Sequence, residues 1–353
     1  MYRYSTGLVP ATQATLQRLG ATFLHTGSDV FKQAGLGVVP AWNPADQNPK
    51  SPGIDWRMGR SLVGGTSALG PVLNQGDCGS CYMMVILQMM QSWLAIANAS
   101  PVIVLDPNAF LTCAFKPRTK ATPGTYQCAG WDPIEYFSEV VATTCTNTWL
   151  ATTTTTPKFM FSDKSEPSKE CKSLDSCLHT ALPWPSCTKF KKEGIYSCSQ
   201  FIPDWRTCSP QTCVASQSSS NGSFLKKCKL VVRAFGTSLS RAEREKELVQ
   251  ILRLFGPFPV NVTTTDRWTS YSSGIFGDGL LKPYGPMEDE PVDHTVVLVG
   301  AVEDAKYGEY WIVMNSWGAE WGYGGFAYIP RNTDEYGKLG AFNILTGPSC
   351  YIE

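Results

Sequence analysis

NQGDCGSCYMMVILQMMQSWLAIA, Asn74 to Ala97, joins a polar turn carrying two cysteines to the longest apolar run in the chain. The apolar part, Tyr82 to Ala97, is interrupted only by Gln88, Gln91 and Ser92 and is shorter than the ~20 residues of a membrane span, so it predicts a buried central helix. Met83, Met84, Met89 and Met90 read as adaptable filler in its packing. Cys81 then stands at a helix N-terminus, where unsatisfied N–H groups and the positive end of the helix dipole favour the thiolate over the thiol. Gln75, just upstream, is placed to donate a side-chain N–H to a developing oxyanion beside the backbone N–H of Cys81.

A thiol nucleophile needs an imidazole, and the chain has three histidines: His25, His179 and His294. His25 falls in the N-terminal stretch and His179 in a cysteine-rich segment, whereas His294 opens an apolar strand in VDHTVVLVG. Farther on, NSWG places Asn315 at a strand end to orient that imidazole, and Trp317 to shield the hydrogen bond from water.

The 353 residues carry 30 Lys plus Arg against 30 Asp plus Glu, which removes the electrostatic case for a nucleic-acid partner or an anionic membrane surface. Hydrophobic residues at 43% against 17% charged are enough for a packed core and exclude global disorder. Thirteen cysteines point to an oxidising compartment, and their odd number leaves at least one sulfur unpaired. The opening MYRYSTGLVPATQ has no continuous apolar stretch of the kind a secretory signal carries.

Residues 1 to 50 lack strong periodicity and end in the turn-rich AWNPADQNPKSPG, which predicts a linker before the main domain. Between Thr143 and Ser223, five consecutive threonines, seven cysteines and SQSSSNGS predict a cross-linked, loop-rich insertion. SRAE at Ser240 has capping-box spacing and opens a helix that Gly256-Pro257 stops. Strands are predicted over Phe258 to Thr263, Thr295 to Val302, Tyr310 to Met314 and Gly325 to Ile329. Helices first and strands afterwards indicate an α+β fold.

Cys78 to Tyr82, Cys-Gly-Ser-Cys-Tyr, matches the local signature of papain and the cathepsins. The chain resembles papain-like cysteine peptidases of the cathepsin type from about Pro52 to Asn343 outside the insertion. GIDWR (Gly53 to Arg57) resembles a mature N-terminus, and LDPNAFLTC, YQCAGW, GPFPVNV, YSSGIF, DHTVVLVG and NSWGAEWGYGG follow in the family's order. The spacing departs from the pattern: 213 residues separate Cys81 from His294, against ~130 to 150 in the family, and the insertion accounts for the excess.

The resemblance implies two lobes with the active-site cleft between them, a helical lobe and a β-barrel-like lobe. Residues 1-50 are then a pro-segment remnant and linker. The peptidase domain is 51-353, its helical lobe about 51-228 holding the insertion at about 143-223, its β-rich lobe about 229-353. It implies a cysteine-type endopeptidase with Cys81, His294, Asn315 and Gln75 catalytic, working through a thiolate–imidazolium pair and an acyl-enzyme with no metal or cofactor. Gly130, Trp131, Pro133, Asn261, Asp293 and Trp317 are the candidates for contacting substrate.

Expected partners are polypeptide substrates and the chain's own pro-segment, with no nucleic acid and no membrane span, on a monomer in a lysosomal, vacuolar or secreted setting. The competing reading is a catalytically silent homologue that binds peptides or partners. Trp131 stands where the family carries a glycine and is expected to narrow the cleft; Tyr82 replaces the commoner Trp after the nucleophile. The family pattern pairs Cys78 with Cys128 and Cys113 with Cys228, and parity among the rest assigns Cys350 to a bridge with the insertion.

Overall fold

A computed structural model describes residues 5–24, 53–57, 67–98, 101–105, 107, 130–138, 152–153, 230–277 and 285–352. In chain order its elements are α1 (Gln13–Arg18), β1 (Thr22–Leu24), β2 (Gly53–Asp55), α2 (Cys81–Asn98), β3 (Val104–Leu105) and α3 (Pro133–Tyr136). They continue with β4 (Thr152–Thr153), β5 (Leu230–Phe235), α4 (Arg241–Phe255), β6 (Phe258–Val262), α5 (Asp266–Thr269), β7 (His294–Asp304), β8 (Gly308–Met314), β9 (Phe326–Pro330) and β10 (Ser349–Ile352).

Helix α2 is apolar on every side because it is covered on nearly every side: residues from Cys81 to Ser92 are all buried, and it packs against β6, β7 and α3. The polar residues that interrupt its sequence tie other segments to it. Gln88 Nε2 donates to the Pro71 carbonyl (2.7 Å) and Gln91 Nε2 to Gln88 Oε1 (3.0 Å), while Gln91 Oε1 accepts the Leu105 N–H (2.7 Å). Each buried amide group is thereby answered. No helix among the described residues is long and apolar enough to cross a membrane.

Helix α4 starts where the capping box predicts: Ser240 accepts from the Glu243 N–H and Glu243 reaches back to the Ser240 N–H. It stops at Gly256, whose φ of 86° suits glycine, before Pro257. Strand β7 organises the larger sheet. One edge pairs antiparallel with β6 and then β2, the other with β8, which carries β9. A second sheet has the order β1-β5-β10. The fold is α+β as expected, and its sheets form no closed barrel among the described residues.

One expectation is overturned, that for Cys350, while the others gain detail or lie outside the described residues. Residues 1 to 50 contain a capped helix, α1, with the Thr12 hydroxyl accepting the Thr15 N–H, and a strand, β1, lying parallel to β5. Within the insertion, only Thr152–Thr153 lie among the described residues, paired antiparallel with β3. Cys78 is disulfide-bonded; its expected partner Cys128, and Cys113 and Cys228, lie outside the described residues. Cys350 is a free thiol. It sits on β10 opposite Val232, buried in the main core, and burial pushes its pKa well up, so the sulfur is an inert core atom and not a bridge to the insertion.

Candidate active site

The β7–β8 pairing, with Val297 opposite Met314, sets the start of β7 beside the end of β8. His294 Nε2 donates to Asn315 Oδ1 at 2.8 Å, and the same oxygen accepts the Ser316 N–H at 2.8 Å. With Nε2 carrying the proton, the lone pair of the neutral ring falls on Nδ1, which has no hydrogen-bond partner among the described residues. Trp317 lies over this arrangement, its ring centroid 4.9 Å from that of His294, and leans edge-on against Trp321 of the aromatic core.

Cys81 is the first residue of α2, and the backbone N–H groups of Thr295, Tyr82 and Gly7 approach its sulfur. Thr295 directly follows His294, so the nucleophile lies near the start of β7, where α2 packs against that strand, with no hydrogen bond joining the sulfur to His294 Nδ1. Gln75 is held in one orientation: its N–H donates to the Ser316 carbonyl (2.8 Å), and the Ser316 hydroxyl donates to its Oε1. Its Nε2 is left to donate to the carbonyls of Cys78 (2.8 Å) and Ser5 (3.0 Å).

Residues 5 to 9 run through this site. The Ser5 carbonyl accepts from Gln75 Nε2 and from Trp317 Nε1, both at 3.0 Å. Gly7 and Leu8 N–H donate to the Asp293 carbonyl (3.3 and 3.1 Å). Trp131 N–H donates to the Gly7 carbonyl (2.9 Å) and Val9 N–H to that of Trp131 (3.2 Å), a parallel bridge. The Leu8 side chain packs on Cys81 and Val292, and beyond it the Ala11 N–H donates to Asp132 Oδ2 (2.9 Å). A Cβ on Gly7 would run into the Gly79 carbonyl, and one on Gly130, at φ 99°, into that of Gly7.

Covering changes the electrostatics. Burial pushes the Cys81 thiol up to about 12, against the smaller downward pull of the three N–H groups. Burial likewise takes His294 down to about 4, although Asn315 and the Asp293 charge oppose the shift. With residues 5 to 9 in place the pair therefore rests as thiol and neutral imidazole.

Cys81, Gln75, Trp317, Asp293, Gly130 and Trp131 thus touch one stretch of chain, with His294 and Asn315 adjoining them under Trp317 and beside Asp293. Asp293 touches it through its carbonyl, its carboxylate accepting instead from Thr264 N and Oγ1 (2.8 and 2.6 Å). Pro133 is the buried first residue of α3, and Asn261 donates to the Gly347 carbonyl (3.4 Å). The expectation for Trp131 is corrected. Its indole turns inward, donating to Glu135 Oε2 (2.8 Å) and packing against Tyr82 and Tyr136, while its backbone faces the cleft. Sequence reasoning passed over Asp132, which accepts from the N–H groups of Ile134 and Glu135 as N-cap of α3; an Asp before a Pro-led turn was the available signal.

The model of the papain family of cysteine proteases matches residues 51–346. The chain belongs to that family. It is 39% identical over 99 residues to a cathepsin C of Schistosoma mansoni, an alignment covering 27% of this chain and 22% of the relative. To a cathepsin L-like proteinase of Phaedon cochleariae it is 24% identical over 296 residues, covering 83% of this chain and 65% of the relative. The alignments with the first curated relatives span about a quarter of their length. A solved structure from work on the mite allergens Blo t 1 and Der p 1 is similar in fold, with a TM-score of 0.52 and 16% identity over 97% of this chain and 78% of that one.

Proposed function

We propose that the peptidase is the covered, zymogen-like form of a cysteine endopeptidase and that residues 1 to 50 act as its inhibitory segment in an oxidising, lysosomal, vacuolar or secreted setting. The observation that carries this reading is the Ser5 carbonyl held on Gln75 Nε2 beside Cys81: a peptide carbonyl already occupies the donor meant for an oxyanion. Once the segment leaves, water returns, the His294 pKa rises, that of Cys81 falls, and the helix N-terminus favours the thiolate. The thiolate attacks a peptide carbonyl, imidazolium protonates the leaving amine, and water activated by neutral His294 releases the acid from the acyl-enzyme.

The test is labelling of Cys81 by an epoxide-type thiol-peptidase inhibitor together with peptide turnover, before and after cleavage in the Ala41 to Gly53 stretch. Labelling and turnover should both appear only after the cut. Labelling without turnover would favour the silent, peptide-binding homologue.

Because Gly7 has no room for a side chain, Gly7→Ala in the uncut chain should loosen the segment by roughly 10- to 100-fold, the usual size of a packing clash. Epoxide labelling of the uncut variant should be faster by that factor; an unchanged rate would mean that residues 5 to 9 do not guard Cys81.

Segment binding should also depend on pH through Asp132. Burial raises its carboxyl to about 6, with the N–H groups of Ala11, Glu135 and Ile134 pulling down and the Glu135 charge adding to the rise; we attribute the decisive part of that burial to the segment, which lies on Oδ2. The Cys350 thiol also faces it. A carboxyl with a higher pKa when covered favours the covered state below its ordinary range near 4 and loses that contribution as pH rises through about 6. Thiol–imidazole and thiolate–imidazolium pairs hold equal numbers of protons, so their exchange adds no slope there. A peptide of residues 1 to 52 should inhibit the cut enzyme about 10- to 100-fold more strongly at pH 4.5 than at pH 7.5. Asp132→Asn should flatten that profile.

A further inference from the structure

Asp132 has a position in the cleft that the catalytic account leaves unused. One of its oxygens belongs to the fold: Oδ1 accepts from Ile134 N (2.8 Å) and Glu135 N (3.2 Å), fixing the carboxyl plane at the start of α3. The other belongs to whatever lies in the cleft. Oδ2 accepts the Ala11 N–H, on the same run of chain whose Gly7 and Val9 pair with the Trp131 backbone one residue away.

That occupant serves the carboxyl poorly. It brings a single neutral N–H, a second carboxylate stands close on the same turn at Glu135, and among the described residues no lysine or arginine forms an ion pair with Asp132. A fixed, desolvated carboxylate with one oxygen facing a peptide-binding cleft gains most from an ionised donor, since charge-assisted hydrogen bonds are about twice as strong as neutral ones.

We propose that, in the uncovered enzyme, Asp132 selects substrates that place a lysine or arginine side chain at the Trp131 end of the cleft. The inference rests on the endopeptidase reading and narrows its substrate class to polypeptides with a cationic residue at one position near the cut. Removing the segment takes away the Ala11 N–H and leaves Oδ2 to the substrate. The Ser5 end of the segment lies at Gln75 and Trp317 and the Ala11 end at Trp131 and Asp132, so the selected residue sits on one side of the scissile bond only.

The experiment uses the enzyme cut in the Ala41 to Gly53 stretch and a set of peptides with Lys, Gln or Leu in turn at each of four positions on either side of one cleavable bond. A single position should favour Lys over Gln by about tenfold in kcat/KM, the size of one charge-assisted contact. In Asp132→Asn the ratio at that position should fall to near one. Asn retains an N-cap oxygen, and Asp132→Ser, which also does, replaces it if the first variant folds poorly. In the parent enzyme the Lys-to-Gln ratio should rise with pH as the carboxyl ionises, a response that a purely structural N-cap would not give. Equal kcat/KM for Lys and Gln at every position, or a Lys preference surviving both variants, would overturn the inference. If no peptide is cut, the endopeptidase reading itself fails and the inference with it.

Discussion

Cys81→Ala and His294→Ala should each lower peptide turnover by the cut enzyme about 10⁴- to 10⁶-fold, the range seen when one member of a nucleophile–base pair is removed. The two losses should not add, because thiol and imidazole act as one unit: without Nδ1 to hold the proton, the thiol is a weak nucleophile, and without sulfur, the imidazole has nothing to activate. Both side chains are buried at the α2–β7 junction, so Cys81→Ser serves as a near-isosteric control for packing. Single-turnover kinetics with an ester and an amide substrate separate acylation from deacylation. Turnover by Cys81→Ala equal to the parent's would remove the thiol from the mechanism. The pH profile of kcat/KM should be bell-shaped, its acid limb from protonating the thiolate and its alkaline limb from deprotonating the imidazolium.

Gln75→Ala should cost roughly 10² to 10³ in kcat, as loss of a single oxyanion donor does. Its amide is aimed in advance by the Ser316 hydroxyl on Oε1, so the donor needs no reorganisation as charge develops. Ser316→Ala should therefore act through Gln75, with a smaller loss of kcat and little change in KM. Added to Gln75→Ala, it should cost almost nothing more. A full additive loss in the double variant would show that Ser316 acts by another route. In the uncut chain the effect reverses in part, because Gln75→Ala also removes a hydrogen bond to Ser5 and should ease segment release.

Much of this site could be read from the chain because its parts announce themselves locally. CGSCY sits directly ahead of an apolar helix, DHTVVLVG is a near-continuous buried strand, and the SRAE capping box fixes where α4 begins. What stayed hidden depends on contacts between distant backbones. Residues 5 to 9 are held mainly by main-chain N–H and C=O groups, which leave no side-chain pattern, and Gly7 and Gly130 alone betray the close approach among the described residues. Trp131 was misjudged because its side chain answers to Tyr82 and Glu135, not to the cleft: a smaller aromatic at 82 and a larger one at 131 fill the same interior space. Counting cysteines failed at Cys350 since parity assumes that every remaining sulfur pairs, and a strand position buried in an apolar core has no such need.

The parallel ladder between β1 and β5 has a bearing on handling. Thr22 to Leu24 cap the outer side of β5 at Arg233, Ala234 and Phe235, so excision bares a row of main-chain donors and acceptors on a strand rich in apolar residues. Naked edges of this kind recruit other strands. Excision, on the proposed reading, would exchange a covered protein for a more adhesive one, and preparations of the cut chain should keep longer when the excised piece is left in the tube than when it is washed away.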